Sequence, residues 1–238
     1  MTTELDGQIA LVTGASRGIG YALARELASR GAHIIAVART IGGLEELDDE
    51  IQSSGGSTTL VPTDLREGDA IDQIGGAIAE RWGHLDILVG NAAMLGILGP
   101  VAHLDPDVWN DIYALNVTAN YRLIRTCDAL LQAAPSARAL FMTSTVGAEP
   151  RAYWGAYASS KAALESLVLS YALEVDQSNM KVNLLNPGGT RTSMRAAAMP
   201  GEDPTTLPST KDIAQQVVKM LLPNWETNGQ RLHITDLA

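Results

Sequence analysis

The chain has 238 residues, enough for one large α/β domain or two small ones, and enough to bury a substantial core. Its net charge of -10, with no run of Lys or Arg, argues against a surface for nucleic acid or anionic membrane. The single cysteine, Cys127, excludes an internal disulfide and a cysteine-based zinc site, and His33, His84, His103 and His233 have no ligand spacing, so no metal is expected.

From the amino terminus, MTTELDG has no basic residue ahead of the short apolar run IALV, and no apolar run reaches membrane-spanning length. A cytoplasmic location is the expectation. Short apolar runs then recur at 8–13, 33–38, 58–63, 85–90, 137–144, 181–186 and 231–235, and amphipathic helical patterns lie between them near 18–30, 42–54, 67–82, 107–133, 154–177 and 211–222. Seven strands alternating with helices predict a doubly wound parallel sheet covered by helices on both faces. No linker, repeat or low-complexity segment interrupts the pattern, so residues 1–238 read as a single domain. The stretch 187–210, rich in Pro, Gly, Ala and Thr, is too long for an ordinary connection and reads as a substrate lid.

The turn TGASRGIG (13–20) follows the first strand directly and opens the first helix. A glycine-rich turn alone is a weak signal, but this position makes it a dinucleotide cradle. Gly14 permits the tight turn, Gly18 the close approach of a pyrophosphate to backbone amides, and Gly20 the packing of helix on strand. The second strand ends AVART, where folds that hold an unphosphorylated ribose generally place an acid. Here stand Ala38 and Arg39, and with Arg17 in the glycine turn two guanidinium groups are available for a 2′-phosphate. NADP(H) is therefore the expected cofactor, by a margin on the order of 100-fold over NAD(H) if both arginines engage.

Within YWGAYASSKAALESL (153–167), Tyr157 and Lys161 stand four residues apart on one helical face with small neighbours. With them, the chain is similar to the short-chain dehydrogenase/reductase family from residue 5 onward. The resemblance rests on TGxxxGxG at 13–20, DL at 64–65, NAA at 91–93, Asn116 in ALNVTANY, Ser144 in MTSTVG, YxxxK at 157–161 and NPGGTRT at 186–192. It implies a single-domain Rossmann fold, a catalytic tetrad of Asn116, Ser144, Tyr157 and Lys161, and a cofactor held by Gly14, Ser16, Arg17, Gly18, Ile19, Gly20, Arg39, Asp64, Leu65, Asn91, Ala92, Tyr157, Lys161, Pro187, Gly188, Thr190 and Thr192. Two departures stand out: Ala93 replaces the glycine of the usual NAG, and HITDLA occupies the place of a glycine-rich tail.

The resemblance implies hydride transfer between NADP(H) and a carbonyl or secondary alcohol, with Tyr157 as acid/base. A free phenol has a pKa of about 10, so the expectation is that Lys161 and the helix N-terminus lower it toward working pH. Ser144 would donate to the developing oxyanion, and Asn116 would hold a water that passes protons to Lys161. Residues 94–100, Tyr153, Trp154, Met194 and Met199 suggest an apolar substrate pocket. A homodimer or homotetramer is expected through the helices near 107–133 and 157–177, which are apolar on more than one face. The alternatives are a non-catalytic NADP(H)-binding redox sensor, for which a tetrad has no use, and a sugar-nucleotide epimerase, whose usual glycine spacing differs from 13–20.

Overall fold

Strands form where apolar, β-branched runs can be buried on both faces. In a computed structural model, which describes residues 3–237, they are β1 (Ile9–Thr13), β2 (His33–Ala38), β3 (Ser57–Pro62), β4 (Ile87–Gly90), β5 (Arg138–Met142), β6 (Lys181–Asn186) and β7 (Arg231–His233). All pair in parallel, in the order β3-β2-β1-β4-β5-β6-β7. β1, β4 and β5 are buried throughout, which is why their sequences are continuous apolar runs rather than alternating ones.

The helices are α1 (Gly18–Ser29), α2 (Ile41–Ser53), α3 (Gly68–Arg81), α4 (Pro106–Tyr113), α5 (Ala119–Ala133), the short α6 (Thr145–Ala148), α7 (Gly155–Glu174), α8 (Ser193–Ala198) and α9 (Thr210–Val217). Local chemistry sets several starts. Asp105 caps α4 ahead of Pro106, Thr192 caps α8, and Ser209 with Asp212 forms a capping box on α9. No described helix is long and apolar enough to cross a membrane. Leu23, Leu27, Leu44, Leu47 and Val217 pack in one core, and Ile71, Ile78, Leu123, Leu164 and Val168 in another, so each sheet face has its own helical layer.

Two expectations need correction. The strand expected from 85 begins at Ile87, because the Asp86 carboxylate accepts from the Ile9 N–H (2.8 Å) and the Leu85 N–H turns to the Leu130 carbonyl (3.0 Å). The single helix expected over 107–133 is three pieces, with a wide π turn at Ala114–Thr118 between α4 and α5. That turn faces Asn116 inward, fully buried. Its amide accepts from the Met94 N–H (2.9 Å) and donates to the Met94 carbonyl (3.0 Å), pinning the chain that leaves β4. The order of strands reverses between β1 and β4, and the crevice opens there, at their carboxyl ends.

Candidate active site

The glycine turn closes the floor of the crevice. Gly14 (φ +66°) and Gly18 (φ +65°) both adopt left-handed backbone. A Cβ on Gly14 would lie 2.8 Å from Asn91 Nδ2 and 3.0 Å from Ala92 Cα, and one on Gly20 would lie 2.5 Å from the Gly14 carbonyl oxygen. Neither position has room for a side chain. At Gly18 the nearest atom is Thr192 Cγ2 at 3.7 Å, so that backbone faces open space, as a cradle for a pyrophosphate requires. Asn91 donates from its amide to the Thr13 carbonyl (2.8 Å). The Thr13 hydroxyl donates to the Val89 carbonyl (3.0 Å) and accepts from the backbone N–H groups of Asn91 (2.9 Å) and Ala92 (3.0 Å). Thr13 thus ties the turn to β4, a task that only its place at the end of β1 hinted at.

Above this floor lies a cavity of about 520 Å³, lined by Gly14, Ser16, Arg17, Gly18, Ile19, Arg39, Asp64, Leu65, Asn91, Ala92, Tyr157, Lys161, Pro187 and Thr192. The sequence reading named these, while Thr40, Thr63, Leu115, Met142 and Thr143, which also line the cavity, were not among its site residues. Gly20 sits behind the wall as a packing glycine, while Gly188 and Thr190 line a smaller adjoining cavity, with the Thr190 hydroxyl turned to the Pro187 carbonyl (3.2 Å). Arg39 leans 3.6 Å from Asp64 with its side chain 60% exposed, and Asp64 is also gripped by Arg66 (2.7 Å). The Arg66 hydrogen bonds are the main reason the Asp64 carboxyl is held below its ordinary range. The cavity therefore has a firmly held carboxylate on its wall and an exposed guanidinium at its mouth, with Ala38 beside it.

At the other end of the cavity, α7 presents Tyr157 and Lys161, both buried. Lys161 Nζ donates to the Met142 carbonyl (2.7 Å) and lies 5.8 Å from the centre of the Tyr157 ring. Burial lowers Lys161 to about 8, against the opposing pull of Glu165. Burial also raises Tyr157 to about 12, and the Ser144 hydrogen bond only partly offsets it. The expectation that Lys161 lowers the phenol is thus corrected: burial sets the direction, upward, and keeps Tyr157 protonated at neutral pH.

The Asn116 side chain has a structural task of its own. Both of its amide donors are used, on the Met94 carbonyl and on Ser160 Oγ (3.0 Å), and its backbone carbonyl accepts from Asn120 Nδ2 (2.9 Å). It is a clamp between the β4 loop, the π turn and α7, and with both amide donors taken only its oxygens are open to a water.

The adjoining cavity, about 120 Å³, shares Ile19, Leu95, Tyr157, Pro187, Thr192 and Met194 among others with the larger one and adds Ser144, Trp154, Asn186 and Ala198. Its walls are mostly apolar. Arg195 reaches it, but a two-point pair with Glu202 (2.5 Å) neutralises the guanidinium, and Arg151 is exposed. The 187–210 stretch is ordered by α8 and by Arg191, which donates to the carbonyls of Pro204 (2.8 Å) and Leu207 (3.0 Å).

Comparison with known proteins fits this geometry. Residues 8–203 match the family model described as short chain dehydrogenase. An Escherichia coli K12 protein named as the uncharacterized oxidoreductase YciK is 38% identical over 212 residues, covering 88% of this chain and 84% of its own length. The 3-oxoacyl-(acyl-carrier-protein) reductase FabG of Vibrio harveyi is 32% identical, with 97% of both chains covered. A solved short chain dehydrogenase from Shigella flexneri 2a, complexed with NADP, superposes with a TM-score of 0.92 at 33% identity, covering 99% of this chain and 100% of that one.

Proposed function

The chain belongs to the short chain dehydrogenase family, and we propose that it is an NADP(H)-dependent oxidoreductase acting between carbonyl compounds and secondary alcohols, with Tyr157 as its acid/base. The observation that carries this reading is the meeting of two cavities at one phenol. The larger runs from the glycine turn and Arg39 to Lys161, the smaller is apolar and holds Ser144, and Tyr157 borders both.

Bound NADPH would supply the hydride to the carbonyl carbon. The protein's part falls to three groups. Tyr157, held protonated by burial, donates its proton to the oxygen as charge builds there. Ser144, on the wall of the smaller cavity with Tyr157, donates to the same oxygen. Lys161, fixed on the Met142 carbonyl, places a cation beside the phenol that stabilises the phenolate left after transfer. Asn116 keeps the β4 loop and α7 in register around them. Gly14, Gly18, Arg17 and Arg39 would hold the pyrophosphate and 2′-phosphate, and Pro187, Gly188, Thr190 and Thr192 the nicotinamide end.

Residues 187–210 act as a lid in this reading, since Met194 and Arg195 already form part of the smaller cavity's wall. The substrate is neutral and largely apolar next to its carbonyl, because Arg195, the arginine in the smaller cavity's wall, is paired to Glu202. A panel of aliphatic, aryl and acyl-thioester ketones with NADPH, followed by nicotinamide absorbance, tests the reaction class, and a homodimer through α5 and α7 is the assembly it is expected to work in.

A further inference from the structure

Glu165 stands one turn beyond Lys161 on α7, just as Lys161 stands one turn beyond Tyr157, so three ionisable side chains share one helical face. Neither the glycine turn nor the tetrad accounts for the third. Glu165 is 8% exposed, yet two elements from elsewhere in the fold converge on its Oε1. The Thr143 hydroxyl donates to it (2.5 Å) from the segment leaving β5, and Arg231 Nε donates to it (2.8 Å) from the edge strand β7. Arg231 Nη2 also donates to the Ser144 carbonyl (3.2 Å). Gly147 in α6 is pressed flush against the group, since a Cβ there would lie 2.6 Å from Glu165 Oε1 and 3.3 Å from Lys161 Cβ.

We propose that Glu165, held by Arg231, is a positioning residue that fixes the Thr143–Ser144 segment against α7 and sustains the charge on Lys161. This rests on the reading of Tyr157, Ser144 and Lys161 as the reacting end of the site. A strut alone would not need a carboxylate, because burying one is costly unless it is paired, and an apolar side chain fills such a space more cheaply. What an apolar side chain cannot supply is a negative charge one turn from a fully buried ammonium. The segments packed against Lys161, Met142–Ser144, α6 and the π turn, contain no ionisable residue. The groups that face it are Tyr157 and Glu165 from its own helix and, behind Glu165, Arg231 from β7. Glu165 is the only anion among them, and its pull on Lys161 opposes the effect of burial.

The chain contains four lysines, Lys161, Lys181, Lys211 and Lys219, so lysine labelled with 13C at Cε gives a spectrum simple enough to follow, with the Lys161 signal identified by its absence in Lys161→Met. This readout needs no substrate. In the cofactor-free protein the Lys161 midpoint is expected to move down in Glu165→Gln, which loses an anion, and up in Arg231→Gln, which loses a cation while the carboxylate stays. With any carbonyl that the wild type reduces, Glu165→Gln is expected to lower kcat by roughly 10- to 100-fold through misplacement of Ser144 and Lys161. KM for NADPH should stay within about twofold, the alkaline limb of the rate profile should move to lower pH, and Glu165→Asp should restore part of the rate. Arg231 lies on a partly exposed edge strand, so Arg231→Gln supplies both readouts should Glu165→Gln fail to fold. A Lys161 midpoint unmoved by the variants that fold, or a rate loss that only tracks a reduced folded fraction, would overturn the proposal. A wild type that reduces no carbonyl would overturn the reading of the reaction instead, leaving the lysine titration to decide this one.

Discussion

At the scale of single residues, the account turns on buried groups whose chemistry the sequence names but whose environment it does not. Tyr157→Phe removes one hydroxyl, so NADPH binding and folding should persist while turnover falls roughly 100- to 10,000-fold, measured on an established substrate with cofactor affinity checked by fluorescence. Lys161 yields a prediction about stability. Burial lowers it from an ordinary 10.5 to about 8, so between those values the unfolded chain binds more protons than the folded one and stability rises with pH; below about 8 the full cost of the buried cation is present. Lys161→Met in the cofactor-free protein should therefore melt several degrees higher than wild type at pH 7, with the gap closing as pH climbs through that window. Thermal melts across the range check the sign, and equal Tm values at pH 7 would contradict it. Arg39 needs the opposite correction. Its exposure and its 3.6 Å approach to Asp64 screen its pull on a phosphate, so its loss should weaken NADPH about fivefold, near the top of the range for exposed pairs. Ala38→Asp with Arg39→Ala should then shift preference toward NADH, and titration of both reduced cofactors reads this out.

At the scale of elements, the strands and the glycine turn were legible because their signals are local. Apolar runs of five or six residues, bounded by turns, mark β1, β2 and β6 to within a residue. The π turn was not legible, since the helical pattern of 107–133 runs through it unbroken and only the distant Met94 backbone explains the extra residue at Asn116. Nor was the 143–165–231 network, whose members lie far apart in the chain and meet only when β7 pairs with β6. Its one sequence trace is the repeat of the Tyr157–Lys161 spacing at Glu165. The outward face of α7 carries Ala162, Ser166, Ser170 and Leu173, the last 77% exposed, and Tyr121 is exposed on α5. Small residues with an unburied leucine suit close packing against a second copy. Leu173→Glu should convert a dimer to monomer by light scattering at micromolar concentration, and a wild type that is already monomeric would remove the dimer.

At the scale of the whole molecule, a parallel sheet that reverses its order between β1 and β4 opens one crevice, and nearly every residue singled out from the sequence lines it or buttresses it. The cofactor half was the more legible, because backbone approach and phosphate binding demand glycines and arginines at fixed places. The electrostatics were less so. Spacing put Lys161 beside Tyr157, but only the fold shows that burial raises the phenol and keeps it protonated at neutral pH. The net charge of -10 makes Arg17 and Arg39 at the mouth the local exception for an anionic cofactor, so affinity for NADPH should fall as salt rises. The most direct test of the central claim is the rate of NADPH consumption by wild type and Tyr157→Phe across a panel of ketones, with NADPH binding measured in parallel. The account predicts ketone-dependent consumption by the wild type, lost in the Phe variant while both bind NADPH alike. Tight NADPH binding by a wild type that consumes none with any ketone, and forms none from the matching alcohols and NADP, would contradict it.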